Sequence, residues 1–247
     1  MHLRSRGPVL SPVVAPTFSI RESGARKLWQ AAMGSILEMR QGRLEPNVIT
    51  YTAAISACGK AAQWNAALGM LLEMRQWRIE PNVINYNAAL KAADHGKAWQ
   101  RAVDCMTEMQ QRSIELDVYS HSTIMSACIN AKQWQKSVDM FASMSQNNIR
   151  SNVIVCNTAI SACEKGGRWQ EALQLMSEMR QRKLAPKLLT YNAAISACEK
   201  GEQCERALDV LFEMERRHVQ PDCITFNAAI SACEKGMQWQ KALGIMA

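Results

Sequence analysis

Six side chains of one chemical kind recur at a fixed interval: Thr52, Asn87, Ser122, Asn157, Asn192 and Asn227 stand 35 residues apart. All are short, uncharged hydrogen-bonding groups and mediocre helix formers, whereas a merely solvated helix face usually carries Lys, Glu or Gln. Amides and hydroxyls in series offer the donors and acceptors needed to read the edges of planar bases. Bonding of each side chain to its own helix backbone is the alternative account, and both stand at this point. A second row, Asn82, Asp117, Asn152, Lys187 and Asp222, keeps the same interval. Its Asn and Asp could serve base edges and are also the expected N-caps of a following helix, so both roles coexist. Lys187 suits neither.

Two further rows run beside these. Ile49, Ile84, Tyr119, Ile154, Leu189 and Ile224 could sandwich planar bases in a groove, or be buried between neighbouring units. Lys60, Lys165, Lys200 and Lys235 share one register, with His95 and Asn130 in the other two units. A row of cations parallel to a row of amides suits a phosphate backbone, and lysines near a helix C-terminus equally offset its macrodipole. Other cations, such as Arg40, Arg75 and Arg180, are expected on a solvated outer side.

Catalytic chemistry finds no such support. The four histidines, His2, His95, His121 and His218, have no metal-ligand spacing. Neither an H-x-E with C-x-x-C arrangement nor a cluster of acidic metal ligands occurs. We therefore expect no enzymatic activity from these residues, no cofactor, no metal and no small-molecule substrate. Of the nine cysteines, Cys58, Cys128, Cys163, Cys198 and Cys233 recur as Ser-Ala-Cys inside apolar segments. Cysteine there behaves as a small hydrophobe, which points to reduced thiols and a reducing compartment.

The elements that must position these rows follow from the same period. Trp29, Trp64, Trp99, Trp134, Trp169 and Trp239 keep the 35-residue interval, with Cys204 in the missing place. Met39, Met74, Met109, Met144, Met179 and Met214 follow ten residues behind. The chain divides into 13–47, 48–82, 83–117, 118–152, 153–187, 188–222 and 223–247, the first degenerate and the last incomplete. Each full unit holds two helices, for example Val48 to about Lys60 with Tyr51, Ala54, Ile55 and Cys58 on one face, then about Gln63 to Gln76. Pro-Asn or Pro-Asp pairs (Pro46-Asn47, Pro81-Asn82, Pro221-Asp222) stop one hairpin and cap the next. One hairpin cannot bury both of its apolar faces, but stacked neighbours can, so the expected fold is an all-α solenoid of helix–turn–helix repeats. Ala53-Ala54, Ala193-Ala194 and Ala228-Ala229 would let the first helices approach closely, with Trp and Met packing between units.

Composition agrees. The 247 residues are 48% hydrophobic with seven Pro and twelve Gly, a helical composition. No apolar run approaches the ~18 residues of a membrane span. The net charge of +7 suits a polyanionic partner without requiring one. Residues 1–12 form an N-terminal tail, and the first 21 residues carry Arg and Ser but no acid, the composition of an organelle transit segment. An untidy N-terminus accounts for them equally. The chain stops at Ala247 inside a helix, as a fragment or truncated reading frame would.

The stretches VITYTAAISACGK, VINYNAALKAADH, LLTYNAAISACEK and CITFNAAISACEK, with ALGMLLEMRQWRIEPN and ALDVLFEMERRHVQPD, resemble the two helices and closing turn of the pentatricopeptide repeat family, P-type. The likeness is good over 48–247 and weak over 13–47. It implies a right-handed superhelix that binds single-stranded RNA in an organelle, chloroplast or mitochondrion, at one base per repeat. It implies base reading by fifth and last residues: Thr52–Asn82 and Ser122–Asn152 resemble adenine readers, Asn87–Asp117 and Asn192–Asp222 uracil readers. Asn157–Lys187 has only a pyrimidine leaning. A protein-binding scaffold, whose polar amides clasp an extended peptide, is the alternative, and a targeting module for an appended enzyme is a weaker one.

Overall fold

The computed structural model describes residues 29–42, 44–146, 149, 151–238 and 240–242. The N-terminal tail, the start of the degenerate first unit and Trp239 lie outside the described residues. The helices are α1 (Trp29–Gln41), α2 (Val48–Lys60), α3 (Trp64–Gln76), α4 (Val83–His95), α5 (Trp99–Gln111) and α6 (Val118–Asn130). They continue as α7 (Trp134–Gln146), α8 (Val153–Lys165), α9 (Trp169–Gln181), α10 (Leu188–Lys200), α11 (Cys204–Arg216) and α12 (Cys223–Lys235). All are 13 residues long, and no strand occurs among the described residues. None is long and apolar enough to cross a membrane. Two compact units form, one ending at Ala127 and the other beginning at Cys128.

Local chemistry sets the boundaries. Asn47 caps α2 by accepting from the Thr50 N–H at 3.0 Å, and the Thr50 hydroxyl faces back to the Asn47 N–H. Asn82 and Asp222 form the same reciprocal box with Asn85 and Thr225. The second helices α3, α5, α9 and α11 lack any side-chain cap. Their starts are set by the preceding turn instead: the Gln63 N–H donates to the Cys58 carbonyl at 2.9 Å while Ala62 sits at φ 57°. That left-handed C-cap recurs at Lys97, Lys132, Gly167, Glu202 and Met237.

Within each unit, first helices pack on first helices. Ala57, Ala92, Ala162, Ala197 and Ala232 are fully buried along their contact. A Cβ on Gly59 would stand 3.3 Å from the Ala88 carbonyl, so the backbones of α2 and α4 are close. The Met row is buried too, from Met39 to Met214. Three tryptophans reach the following repeat, where a small residue receives them: Trp64 covers Gly96, Trp134 covers Gly166 and Trp169 covers Gly201. Cys204 takes that role against Gly236. Burial pushes the thiols of Cys58 and Cys163 up to about 11, which keeps them protonated at neutral pH.

One expectation is corrected. Arg40, Arg75 and Arg180 do not lie on a solvated surface; their side chains are only 21%, 20% and 32% exposed. Each forms an ion pair with the glutamate of the next repeat, Glu73, Glu108 and Glu213 respectively. Two tyrosines of the first helices join these staples: Arg40 donates to the Tyr51 hydroxyl, and the Tyr86 hydroxyl donates to Glu108 at 2.9 Å, whereas the buried Tyr191 hydroxyl has no such bond. A fully buried tyrosine favours such a partner for its hydroxyl, and the arginine is drawn inward to satisfy the glutamate that provides it.

Candidate nucleic-acid interface

The fifth residue of each unit lies on the second turn of a first helix, and the last residue is the N-cap of the next first helix. Stacking therefore brings them together across neighbouring hairpins. The Asn87 amide nitrogen donates to Asp117 Oδ2 at 3.1 Å, and Asn192 donates to Asp222 Oδ1 at 3.2 Å. Thr52 and Asn82 are linked through Asn85, to which both bond. The Lys187 side chain makes no cap hydrogen bond, so nothing from the last place holds Asn157.

A third member of this arrangement escaped sequence reasoning. Thr50, Asn85, Ser120, Thr190 and Thr225 occupy the third place of their units and are fully buried. Ser120 donates to Asn87 Oδ1 at 2.6 Å, Thr190 to Asn157 Oδ1 at 2.6 Å and Thr225 to Asn192 Oδ1 at 2.5 Å. Asn85 donates to the Thr52 hydroxyl at 2.8 Å. Each of these residues also closes the cap of its own helix, as in the contacts of Ser120 with Asp117 at 2.6 Å and 2.8 Å. The available signal was a polar residue recurring at a helix position between apolar ones, with Val155 the single exception.

These bonds orient the amides. An Asn has two donors and two acceptor sites, and in Asn87 and Asn192 one nitrogen hydrogen and one oxygen lone pair are committed. The remaining donor and acceptor are free of protein partners in these bonds. The hydroxyls differ: Thr52 donates to the Val48 carbonyl at 2.7 Å and Ser122 to the Tyr119 carbonyl at 2.9 Å. At those two places the local-backbone account describes the side chain, which keeps only acceptor capacity for a ligand. Asn227 is exposed. Hydrogen bonds from the Thr225 N–H and hydroxyl, then from Asn192, hold the Asp222 carboxyl below the usual carboxylate range.

Beside the amides, the second-place side chains stand in solvent. Ile49, Ile84, Tyr119, Ile154, Leu189 and Ile224 are 46–63% exposed, so burial between repeats does not account for them. They form a register of large apolar side chains beside the amide row.

The lysine row is less open than its spacing suggests. Lys200 pairs with Glu164 at 2.8 Å and Lys235 with Glu199 at 2.8 Å, in each case reaching back to the preceding repeat. Lys165 faces Glu164 at 3.2 Å. Burial works against the Glu199 charge, yet Lys235 and Ser231 hold its carboxyl below its ordinary range. In the unit 48–82 Gly59 stands where the acid would be, and its carbonyl meets His95 at 3.0 Å instead. Lys60 has no ion pair among the described residues. No group of His, Cys, Asp or Glu there could hold a metal ion.

Residues 95–242 match the family model of the pentacotripeptide-repeat region of PRORP, and residues 35–95 that of the pentatricopeptide repeat domain. No curated protein matches the chain significantly. Among solved structures, the fold is similar to the pentatricopeptide repeat protein PPR10 in complex with an 18-nt psaJ RNA element, with a TM-score of 0.66 and 24% identity. That match covers 95% of this chain and 33% of the PPR10 chain, so the sequence spans about a third of that relative. It is also similar to the PPR domain of Arabidopsis thaliana protein-only RNase P 1 in complex with tRNA, with a TM-score of 0.60 and 14% identity, over 76% of this chain and 95% of that one.

Proposed function

The chain belongs to the pentatricopeptide repeat family, and from that premise we propose that it binds single-stranded RNA, one base per repeat, without catalysing a reaction. The observation that carries this reading is the exposed apolar register from Ile49 to Ile224 beside the oriented amides. Exposed aliphatic side chains at regular intervals cost hydration free energy, and planar bases slotted between them would recover it. The committed Asn bonds leave one donor and one acceptor per amide, enough to select a base edge.

In this reading Thr52 with Asn82, and Ser122 with Asn152, read adenine, through acceptors offered to its exocyclic amine. Asn87 with Asp117, and Asn192 with Asp222, read uracil; Asn157 with Lys187 accepts either pyrimidine. Asn227, exposed on the last first helix, offers its amide to a further base. Lys60, Lys165, Lys200 and Lys235 follow the phosphates, three of them after exchanging a glutamate. That the PPR10 and RNase P 1 structures hold RNA supports the partner class. The acid-free first 21 residues support an organellar site of action.

Selection from a random single-stranded RNA pool tests the reading. The expected consensus is A-U-A-pyrimidine-U from 5′ to 3′, with little retention of duplex. A pool that returns no enrichment overturns RNA recognition; enrichment without that order overturns the base assignments alone.

A further inference from the structure

The arginine staples leave one glutamate of their register without its arginine. Repeats are joined by Arg40–Glu73, Arg75–Glu108 and Arg180–Glu213, an arginine of one second helix held by a glutamate of the next. In α7 the residue in the arginine register is Ser145. Glu178 of α9, which keeps the glutamate register, therefore lacks the guanidinium that its counterparts hold. Among the described residues it has Gln174 at 3.3 Å and Arg182 at a long 3.9 Å. Arg182 turns another nitrogen to the Ser151 hydroxyl at 2.7 Å. The Glu178 side chain is 32% exposed, against 21–26% for the three stapled glutamates.

Where the side chain is missing, a groove of about 540 Å³ opens between α7 and α9. Its floor is apolar, built from Val138, Phe141, Ala142 and Leu175, and Glu178 stands on its wall. Nearby Glu171 is already answered by Arg168 at 2.8 Å, so Glu178 is the carboxylate left for a ligand. We infer that this groove is a docking site for an arginine-bearing segment of a protein partner. The incoming guanidinium takes the place that Arg40, Arg75 and Arg180 fill from within, and a neighbouring apolar side chain rests on the Phe141–Leu175 floor. Charge points to the class: of the charged groups lining the groove, Glu171 is answered by Arg168 and Arg182 is turned to Ser151, 3.9 Å from Glu178, so the Glu178 carboxylate beside the apolar residues suits a guanidinium with its long methylene stem. The inference stands independently of RNA recognition.

The test uses the full chain and the fluorescein-labelled hexapeptide acetyl-Ala-Leu-Arg-Ala-Leu-Ala amide, with a Gln-for-Arg twin, by anisotropy. Saturable binding of the arginine peptide is expected, with the twin about tenfold weaker or worse, the loss of one charge-assisted contact. Ser145→Arg should fill the groove from inside and abolish binding, while raising the melting temperature by completing the staple. Ala142→Leu, which blocks the floor and leaves the charges alone, keeps the test decisive if Ser145→Arg folds poorly. Glu178→Gln should also abolish binding, and a saturating single-stranded RNA should leave it unchanged. Absence of binding, equal binding of the twin, or survival of binding in both Ala142→Leu and Glu178→Gln overturns the site.

Discussion

At the scale of single residues, what matters is which atoms of each amide are already used. Asn87 and Asn192 are held from both ends, by a hydroxyl on the oxygen and a carboxylate on the nitrogen. Among the described residues Asn157 is held by Thr190, and Lys187 is a donor without an acceptor. Lys187→Asp should supply the missing acceptor, sharpen the fourth base toward uracil by ~1–3 kcal/mol, and give α10 a true N-cap. Four RNAs differing only at that base, titrated against both proteins, check it; an unchanged base profile would mean that last-place residues act here as caps alone. Asp222 provides a pH test. Its carboxyl is depressed in the folded chain by the bonds from Thr225 and Asn192. A depressed folded-state pKa adds stability that is present above the unfolded value and lost as pH falls through the folded one. The stability advantage of the wild type over Asp222→Asn should thus be full at neutral pH and vanish below the usual carboxylate range. Urea titrations across acidic pH measure this, and a pH-independent difference would contradict it. The fifth and last rows were legible because they keep the period, while their third-place partners were hidden because a buried Thr or Ser looks like an ordinary helix residue.

At the scale of elements, the hairpin turns hold a reserve of stability. Among the described residues nine other than glycine adopt positive φ, among them Ala62, Lys97, Glu202 and His218, while Gly167 meets the same turn with a glycine. A side chain in the left-handed region costs roughly 1 kcal/mol, and closing the helix with a backbone bond such as Gln63 to Cys58 offsets it. Ala62→Gly should stabilise the fold by up to ~1 kcal/mol, and Gly167→Ala should cost about as much. Thermal melts of the two variants should move in opposite directions; a fall in both would place the constraint in packing, not in the turn. These turns were located from sequence by the end of periodicity, but not their handedness, since Ala, Lys and Glu give no sign of it.

At the scale of the whole molecule, charge is arranged between repeats as well as along helices. The net charge of +7 does not reach the lysine row undiminished, because Glu164 and Glu199 answer Lys200 and Lys235 at 2.8 Å. Those acids should lower both affinity for a polyanion and its salt dependence. Replacing Glu164 and Glu199 by Gln should tighten RNA binding at low salt and steepen the log–log salt slope by about 0.7 per lysine released. Affinities across a salt series check the slope, and an unchanged slope would remove these lysines from the phosphate path.

The sequence alone determined the two helices of each hairpin, their ends to within a residue, their proline and asparagine boundaries and the membership of the repeat family. Those features depend on hydrogen bonds within a few residues and on a period that any reader of the chain can count. Only the tertiary structure decided which side chains face one another at separations of 30, 33 and 36 residues, the spacings of Asn87–Asp117, Asn87–Ser120 and Lys200–Glu164. A perfect repeat has the same pattern whatever the angle between neighbouring hairpins. That angle is set by close packing of small first-helix residues and of tryptophans against glycines. It turned the second-place residues out to solvent, drew Arg40 and Arg75 inward, and left Glu178 beside an open groove.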